Sequence, residues 1–426
     1  MIFFNIIKSL FISYLIKLGI YDEKLIKILL KNIHKCGVIP VKMVQWFLPP
    51  LKIMNTDKKI INILENTYEK CPLHDLKHTL DIYKKDFYTD LLDDYDIIEE
   101  IGSGSIAQVY KIKEKDTDNI YAMKVKHPNV LKDYIKIKIY LKWIFTIIPF
   151  NKIVPISIDD FFYQFEQQIN FVNEGNNMLK FYDKYENNNL YKIPKLYKLS
   201  ENILIMEYIH GESIENINLT NIEYSKYNLM IYIFIQHNLI MENFNHGDLH
   251  NYNWKVTDDK KIVIYDFGLC WKLFNPSMIN IMEILVEGFH YSDYDKLYLA
   301  FLKFIRIGSN IDESIIKEYF NHEMVGKLNR FMNFFKHLLL FCLEKKILLK
   351  INIIYIIISW QNTLLIFMNN FSEEEHFVVN EMYMEEYNIC DYYDIFHGYQ
   401  DYLKTQMDKY DRIKTFDINI LNKFIK

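Results

Sequence analysis

The sequence predicts an α+β fold, with a helical N-terminal extension, then an antiparallel β-sheet, then a mainly helical region. Residues 1–90 carry apolar side chains at three- and four-residue spacing with lysines between them, which is typical of amphipathic helices. Residues 95–126 instead read as three short strands, joined by a glycine turn and by the turn Asp116-Thr-Asp-Asn119. Helical spacing returns from about residue 219. The expected domains are 1–92, 93–211 and 212–426.

Composition narrows the class of protein. Half of the 426 residues are apolar and 16% are aromatic, so the chain can bury a large core and global disorder is excluded. Fifty Lys and Arg residues against 55 Asp and Glu give a formal net charge of −5, which argues against nucleic acid as a partner. The five cysteines are odd in number and form no Cys-x-x-Cys pair. They favour an intracellular, reducing compartment over a disulfide framework.

Two apolar stretches approach the length of a membrane span. Residues 1–20 contain two lysines, and residues 351–368 contain a Gln-Asn-Thr run. Because charged and amide groups are costly in hydrocarbon, buried or amphipathic helices are the better interpretation of both stretches. Peripheral membrane association stays open as an alternative. A third apolar segment, 139–150, is expected in the core.

The most informative segment is Phe244-Asn-His-Gly-Asp-Leu-His-Asn-Tyr-Asn253, followed by the apolar strand Lys261-Ile-Val-Ile-Tyr265 and then Asp266-Phe-Gly268. Phosphoryl transfer needs one carboxylate beside the acceptor, and a carboxylate and a carboxamide that hold Mg²⁺ against the phosphates. Asp248 is the expected group beside the acceptor, and Asn253 and Asp266 are the expected metal ligands. The segment therefore predicts a site for ATP and Mg²⁺.

A glycine turn precedes the second strand. Because glycine lacks a Cβ atom, the backbone N–H groups of such a turn can approach a polyphosphate. Lys124, on the third strand, suits the α- and β-phosphates. Glu174 lies in the middle of a helix predicted over 161–185, which Asp159 and Asp160 open, and is expected to pair with Lys124 and orient it. The expected phosphate-binding residues of the turn are Gly102, Ser103, Gly104 and Ser105.

These motifs resemble, in their order, the UbiB-like or aarF-domain (ADCK-type) atypical kinases over roughly residues 37–270. The resemblance is carried by Ser105-Ile-Ala-Gln-Val109, Lys124-Val-Lys-His-Pro128, Glu174-Gly-Asn-Asn177, Met206-Glu-Tyr-Ile-His-Gly211, His246-Gly-Asp-Leu-His250 with Asn253, and Asp266-Phe-Gly268. It implies a bilobal protein-kinase-like fold with an antiparallel-sheet N-lobe and a helical C-lobe. It also places Glu207 at a nucleotide-binding hinge.

The family's Lys-x-Gly-Gln run lies on a helix that folds over the active site. Val41-Lys-Met-Val-Gln-Trp46 is similar to it, with valine in place of glycine, so Lys42 and Gln45 are its implied functional pair. The chain departs from the family at two further places. Gly102 and Gly104 stand in a loop that is alanine-rich in the family, and Gln168 and Asn170 replace an acidic pair.

The resemblance implies an ATP-dependent phosphotransferase or ATPase, linked to small-molecule, lipid or isoprenoid quinone metabolism. One alternative is a small-molecule phosphotransferase of the aminoglycoside or choline kinase type, which shares His-Gly-Asp-Leu-His but not the Ser-Ile-Ala-Gln-Val run. The other is a nucleotide-binding pseudokinase that acts as a scaffold. The joint presence of Lys124, Asp248, Asn253 and Asp266 counts against that alternative. The acceptor stays unidentified.

Overall fold

The computed structural model describes residues 23–53, 73–147, 155–219, 244–249, 253–272, 292–306, 312–325 and 331–357, together with isolated residues and pairs before residue 23 and between these ranges. By their contacts, the residues form two compact units. The first comprises Met1–Glu212 and Asn253–Leu269, and the second comprises Ser213–Tyr252 and Cys270–Lys426. The three-domain division expected from the sequence stays a prediction.

Helices precede the sheet in the first unit, as the spacing of apolar residues predicts. They are α1 (Glu23–Lys35), α2 (Val38–Ile53), α3 (Leu76–Phe87) and the single turn α4 (Leu91–Asp94). Gly37 joins α1 to α2 with a φ of +94°, a left-handed conformation that glycine adopts without strain. Asp75 begins α3, because its side chain accepts a hydrogen bond from the Lys77 N–H.

The main sheet has five antiparallel strands in the order β1-β2-β3-β6-β5. The strands are β1 (Tyr95–Ser103), β2 (Ala107–Glu114), β3 (Ile120–Lys126), β5 (Leu196–Leu199) and β6 (Ile203–Glu207). The predicted meander of the first three strands is confirmed. Tyr83 of α3 is buried in one core cluster with Ile112, Met123 and Ile203 of the sheet. Packing of α3 therefore ties the N-terminal segment to the sheet.

Three helices connect β3 to the rest of the unit: α5 (Val130–Ile147), α6 (Ile158–Gln168) and α7 (Phe171–Tyr185). The single helix predicted over 161–185 is wrong. Ser157, rather than the two aspartates after it, caps α6 with its side chain. Asn170 then begins a second helix, because its Oδ1 accepts hydrogen bonds from the N–H groups of Val172 and Asn173. Glu174 therefore lies in the first turn of α7 and not in the middle of a helix.

The expectation that segment 139–150 is core holds for one face of α5. Leu141 and Ile144 are buried, whereas Ile139 and Trp143 are 61% and 56% exposed. The buried residues Tyr134, Ile137, Leu141 and Ile144 recur at helical spacing, and Lys136 and Lys142 lie among the exposed ones. Residues 148–150 of the segment lie outside the described residues. Composition alone therefore overstated the burial of this segment.

A second, smaller sheet positions Asn253 and Asp266 in the first unit. Its strands are β4 (Tyr191–Lys192), β9 (Ile262–Ile264) and β8 (Trp254–Val256), in that order. Both β8 and β9 have buried apolar side chains, among them Trp254 and Ile264. Asn253 immediately precedes β8, and Asp266 comes two residues after β9.

The described part of the second unit is mainly helical, in line with the sequence. Its elements are β7 (Asn245–His246), β10 (Cys270–Trp271), α8 (Tyr294–Phe304), β11 (Ile305–Arg306), α9 (Glu313–Glu323), α10 (Phe331–Lys345) and β12 (Leu348–Leu349). Phenylalanine rings of α9 and α10 pack around Phe301 of α8, with Phe320 and Phe334 edge to face and Phe341 tilted. Residues 351–357 are helical, and the rest of the apolar stretch 351–368 lies outside the described residues. Within the described chain, every helix is too short or too polar to cross a membrane.

Candidate functional site

Lys124 on β3 lies between two carboxylates that are distant in sequence. Its Nζ is 2.6 Å from Oε1 of Glu174 and 3.2 Å from Oδ2 of Asp266. The side chains of Lys124 and Glu174 are 12% and 3% exposed, whereas that of Asp266 is 44% exposed. The ion pair expected between Lys124 and Glu174 is confirmed, and Asp266 joins it. Of the three groups, Asp266 is the one best able to reach an external ligand.

The charges in this cluster follow from its burial. Burial opposes the charge on Lys124, but Asp266 and Glu174 outweigh it, so the pKa of Lys124 is raised. Burial raises the pKa of Glu174 to about 7; the Lys124 ammonium opposes the shift and the charge on Asp266 adds to it. Phe171 lies beside the ammonium, with its ring centre 5.3 Å from the Lys124 Nζ. At neutral pH Lys124 is therefore cationic, while Glu174 lies near its titration midpoint.

Helix α7 brings Glu174 to the sheet through close packing at Gly175. A Cβ atom at Gly175 would lie 2.6 Å from one Cδ of Leu199 and 2.9 Å from the other. Glycine there allows the helix to approach β5 more closely than alanine would. Further along α7, the Nδ2 of Asn177 donates to the carbonyl of Phe267 at 3.1 Å. The same helix therefore holds both Glu174 and the segment that contains Asp266.

The two expected metal ligands follow from the strand pair β8–β9. The N–H of Tyr265 donates to the carbonyl of Asn253 at 3.1 Å, so Asn253 stands across from the residue next to Asp266. The Oδ1 of Asp266 accepts from the Gly268 N–H at 3.0 Å. A Cβ atom at Gly268 would come within 3.1 Å of that same oxygen, which explains a glycine at this position. Carboxylate and amide oxygens are hard ligands, and this donor set fits Mg²⁺.

The glycine turn between β1 and β2 is closed by a hydrogen bond from the Gly104 N–H to the Ala107 carbonyl, at 2.9 Å. Gly37 alone among the glycines of the described residues has a positive φ. A Cβ atom at Gly102 would meet nothing within 4 Å, and one at Gly104 would meet only the Ala107 carbonyl at 3.9 Å. The backbone of the turn therefore does not itself require glycine. Ser103 ends β1 and Ser105 lies within the turn.

Glu207, the expected hinge residue, ends β6. Its N–H donates to the Lys195 carbonyl at 2.8 Å, and its carboxylate accepts from the Lys195 N–H at 3.3 Å. The N–H and the carboxylate of Glu207 therefore both bond to the backbone of Lys195, next to β5. Glu207 has a structural role in the sheet, and its role in binding nucleotide stays a prediction.

The remaining expected residues lie on α2 and in the second unit. Lys42 is half-buried on α2, and the side chain of Gln45 lies outside what the structure describes. Their neighbour Trp46 packs edge to face on Phe161 of α6, with ring centres 5.2 Å apart. In the second unit, the Asp248 N–H donates to Nδ1 of the buried His246 at 3.2 Å. The imidazole of His246 therefore accepts a backbone hydrogen bond from within its own loop.

The role of Gln108 was not foreseen from the sequence. Its side chain is buried, its Oε1 accepts from the His74 N–H at 2.8 Å, and its Nε2 donates to Glu100 and to the Tyr110 hydroxyl at 2.8 Å each. Gln108 therefore ties the segment before α3 to β1 and β2. The available signal was a lone amide between the apolar residues of a strand. Phe171 was also missed, since no local pattern marks its contact with a lysine so distant in the chain.

Comparison with known proteins gives a family match. A family model described as "ABC1 atypical kinase-like domain" matches residues 65–301. The chain is 24% identical over 178 residues to an uncharacterized aarF domain-containing protein kinase, chloroplastic, of Arabidopsis thaliana, covering 40% of this chain and 25% of that protein. It is 31% identical over 193 residues to probable serine/threonine-protein kinase abkB of Dictyostelium discoideum, covering 41% and 28%. It is 24% identical over 221 residues to probable protein kinase UbiB of an Enterobacter strain, covering 48% and 40%.

The chain thus spans a quarter to two-fifths of these relatives. The family match confirms the resemblance seen in the motifs and the kinase-like α+β fold that it implied.

Proposed function

The chain belongs to the ABC1 atypical kinase-like family, and we propose on that premise that it binds Mg–ATP and transfers a phosphoryl group to a small-molecule or lipid acceptor, or to water. The observation that carries this proposal is the cluster of Lys124, Glu174 and Asp266. A buried cation held by one buried and one accessible carboxylate is the arrangement that a polyphosphate site requires.

Each member of the cluster has a distinct part in this proposal. Lys124 would bind the α- and β-phosphates, and Glu174 would hold the lysine in place. Asp266 and Asn253 would hold Mg²⁺, which supplies neutralisation of the phosphate charge when bound. Asp248 would accept the acceptor's proton or orient its hydroxyl.

Residues around the cluster would complete the nucleotide site. Gly102 and Gly104 leave open space beside the backbone of the turn, which is what the close approach of a phosphate needs. We assign phosphate contacts to this turn, including Ser103 and Ser105, and the adenine side to the hinge at Glu207. Lys42 and Gln45 of α2 would cover the site from the N-terminal extension. The helical extension 1–92, the N-lobe 93–211 and the C-lobe 212–426 complete this proposal.

The acceptor class is the finer part of the proposal. The family resemblance favours a lipid or an isoprenoid quinone precursor over a protein, in an intracellular compartment and with membrane association as an option. A scaffold that binds nucleotide without turnover is the second candidate.

A turnover assay separates the two candidates. ATP hydrolysis and phosphoryl transfer are measured with and without detergent-solubilised lipids and quinone-precursor phenols. Asp248→Asn serves as the test variant and Asp258→Asn, at an exposed turn, as the matched control. We expect turnover that is stimulated by the acceptor, lost in Asp248→Asn and kept in Asp258→Asn. Binding of Mg–ATP without turnover in the wild type would favour the scaffold, and absence of binding would refute both.

A further inference from the structure

His127, which directly follows β3, contacts the glycine turn at residues 102–105. Its backbone N–H donates to the Ile106 carbonyl at 2.9 Å, and its ring Nε2 lies 3.0 Å from the Gly104 carbonyl. The same Nε2 lies 3.4 Å from the Ser103 hydroxyl. On the other side of the ring, Nδ1 lies 2.7 Å from Nδ1 of His74, which directly precedes α3. One side chain therefore links the turn to the N-terminal segment.

The partners determine which ring nitrogens carry protons. The Gly104 carbonyl can only accept, so Nε2 of His127 must donate to it. A neutral His127 then accepts at Nδ1, so the Nδ1 of His74 must be the donor of the shared hydrogen bond. Nε2 of His74 is therefore an acceptor, and the hydroxyl of Thr79, 2.9 Å away, is the available donor.

The chain of hydrogen bonds continues into the sheet without a conflict. Thr79 Oγ1 lies 2.9 Å from the Tyr110 hydroxyl, which also receives the Nε2–H of Gln108 at 2.8 Å. The orientation of the Gln108 amide follows from the His74 N–H, which requires its oxygen. Each hydroxyl thus accepts once and donates once. The hydrogen bonds run in one direction, from Gln108 through Tyr110, Thr79, His74 and His127 to the carbonyl of Gly104.

We propose that His74 and His127 are positioning residues for the glycine turn. Through this neutral chain of hydrogen bonds, the relay, the N-terminal segment holds the turn in the conformation that binds phosphate. The inference rests on the proposed function for its ligand, whereas the relay itself rests on the hydrogen bonds of the described residues. It predicts that removal of the Nε2 donor of His127 weakens nucleotide binding.

Adding one proton to the pair makes the hydrogen bonds conflict. If His127 donates from both nitrogens, His74 must accept at Nδ1 and donate to Thr79, and Thr79 must then donate to Tyr110. The Tyr110 hydroxyl would then accept from both Thr79 and Gln108, and its own proton would have no acceptor in this chain of hydrogen bonds. An unpaired buried donor is costly, so the neutral pair is favoured.

The surroundings also disfavour the charged state. Burial, with the charges of His127 and His78, lowers the pKa of His74 to about 4, and Asp75 opposes this shift. Burial likewise lowers the pKa of His127, opposed by its hydrogen bond to Gly104. The titratable or charged groups nearest the pair are His78 and Asp75 from the start of α3, Lys126 from β3, Tyr110 from β2, and Glu100 from β1 behind Gln108. Both shifts favour the uncharged rings, so the pair is neutral at neutral pH.

The test uses two substitutions of His127 and a control. His127→Gln can still donate to the Gly104 carbonyl but cannot titrate, and His127→Phe keeps the ring volume without either nitrogen. His322→Gln, at an exposed position of the second unit, is the control. Affinity for Mg–ATP is measured by calorimetry at pH 7.5. Chemical unfolding at pH 7.5 checks that each variant is folded.

His322→Gln should bind Mg–ATP as the wild type does, and His127→Gln, which keeps a donor for the Gly104 carbonyl, should bind within about twofold of the wild type. His127→Phe should bind about fivefold to tenfold more weakly, because it loses that hydrogen bond. Equal affinity of His127→Phe and wild type would overturn the proposal.

A second readout is independent of nucleotide. Nitrogen-15 NMR of labelled imidazoles at pH 7.5 should report neutral rings protonated at Nε2 of His127 and Nδ1 of His74. The opposite tautomer of His74 would overturn the proposal, as would tight binding of Zn²⁺ to both rings, which would make the pair a metal site. If wild type fails to bind nucleotide, the proposed function fails, while the tautomers still decide the relay.

Discussion

Glu174→Gln should stabilise the protein at alkaline pH while weakening its affinity for nucleotide. Glu174 is 3% exposed in its side chain and has a pKa of about 7, against an ordinary value of 4.5. Because the folded-state pKa is raised, the carboxyl contributes stability below its unfolded pKa, and that stability is lost as pH rises toward 7. A difference of about 2.5 pKa units corresponds to about 3 kcal/mol between pH 4.5 and pH 8.

The amide of the Glu174→Gln variant does not ionise in this pH range. It should therefore equal the wild type in stability near pH 5 and exceed it at pH 8 by up to about 3 kcal/mol. Lys124 keeps Asp266 as a partner at 3.2 Å in the variant, so its charge is not left alone. The amide oxygen orients the lysine less strongly than a carboxylate does, so Mg–ATP should bind more weakly.

The assay is urea unfolding of wild type and variant at pH 5, 6, 7 and 8, with calorimetric Mg–ATP affinity at each pH. Glu186→Gln, an exposed position just beyond the same helix, is the matched control and should follow the wild type. A Glu174→Gln protein that is less stable than wild type at pH 8 would refute the reasoning. That result would mean that the ion pair with Lys124 outweighs the burial of the carboxylate.

Three further predictions concern the nucleotide site. Asp266→Asn should abolish the Mg²⁺-dependent part of the rise in Tm caused by Mg–ATP, because a neutral amide binds the cation more weakly; equal shifts would exclude the metal role. Gly102→Ala should be as stable as wild type within about 0.5 kcal/mol, since the new methyl meets nothing within 4 Å. It should nevertheless reduce the preference for ATP over ADP measured by calorimetry, and an unchanged preference would count against the glycine. Lys42→Ala should alter ATP hydrolysis or autophosphorylation; wild-type rates would mean that α2 is only packed in the first unit.

The strands and the chemical groups of the candidate site could be predicted from the sequence. Alternation of apolar residues and the turn residues between them located β1, β2 and β3 to within two residues. The pairing of Lys124 with Glu174, 50 residues away, also followed, because phosphoryl-transfer sites of the kinase type pair a strand lysine with a helix glutamate.

The break between α6 and α7 was not predicted. Segment 161–185 has helical spacing throughout, yet Asn170 caps a new helix within it. An asparagine is compatible with either a helix interior or an N-cap, and packing selects between them. The break changes the electrostatics of the site, because Glu174 now lies at the N-terminal end of α7, where the helix dipole favours a negative charge.

Residue identities and their spacing were enough to predict the groups of the candidate site: a strand lysine, two oxygen ligands beside a strand pair, and a glycine turn. These depend on residue identity and on local spacing, which short-range interactions govern. The tertiary structure alone decided that Lys124 meets Asp266 across 142 residues, that Gln108 joins the turn to the N-terminal segment, and that His74 faces His127. Such contacts depend on how helices and sheet pack, and burial in that packing then sets the charge of each group.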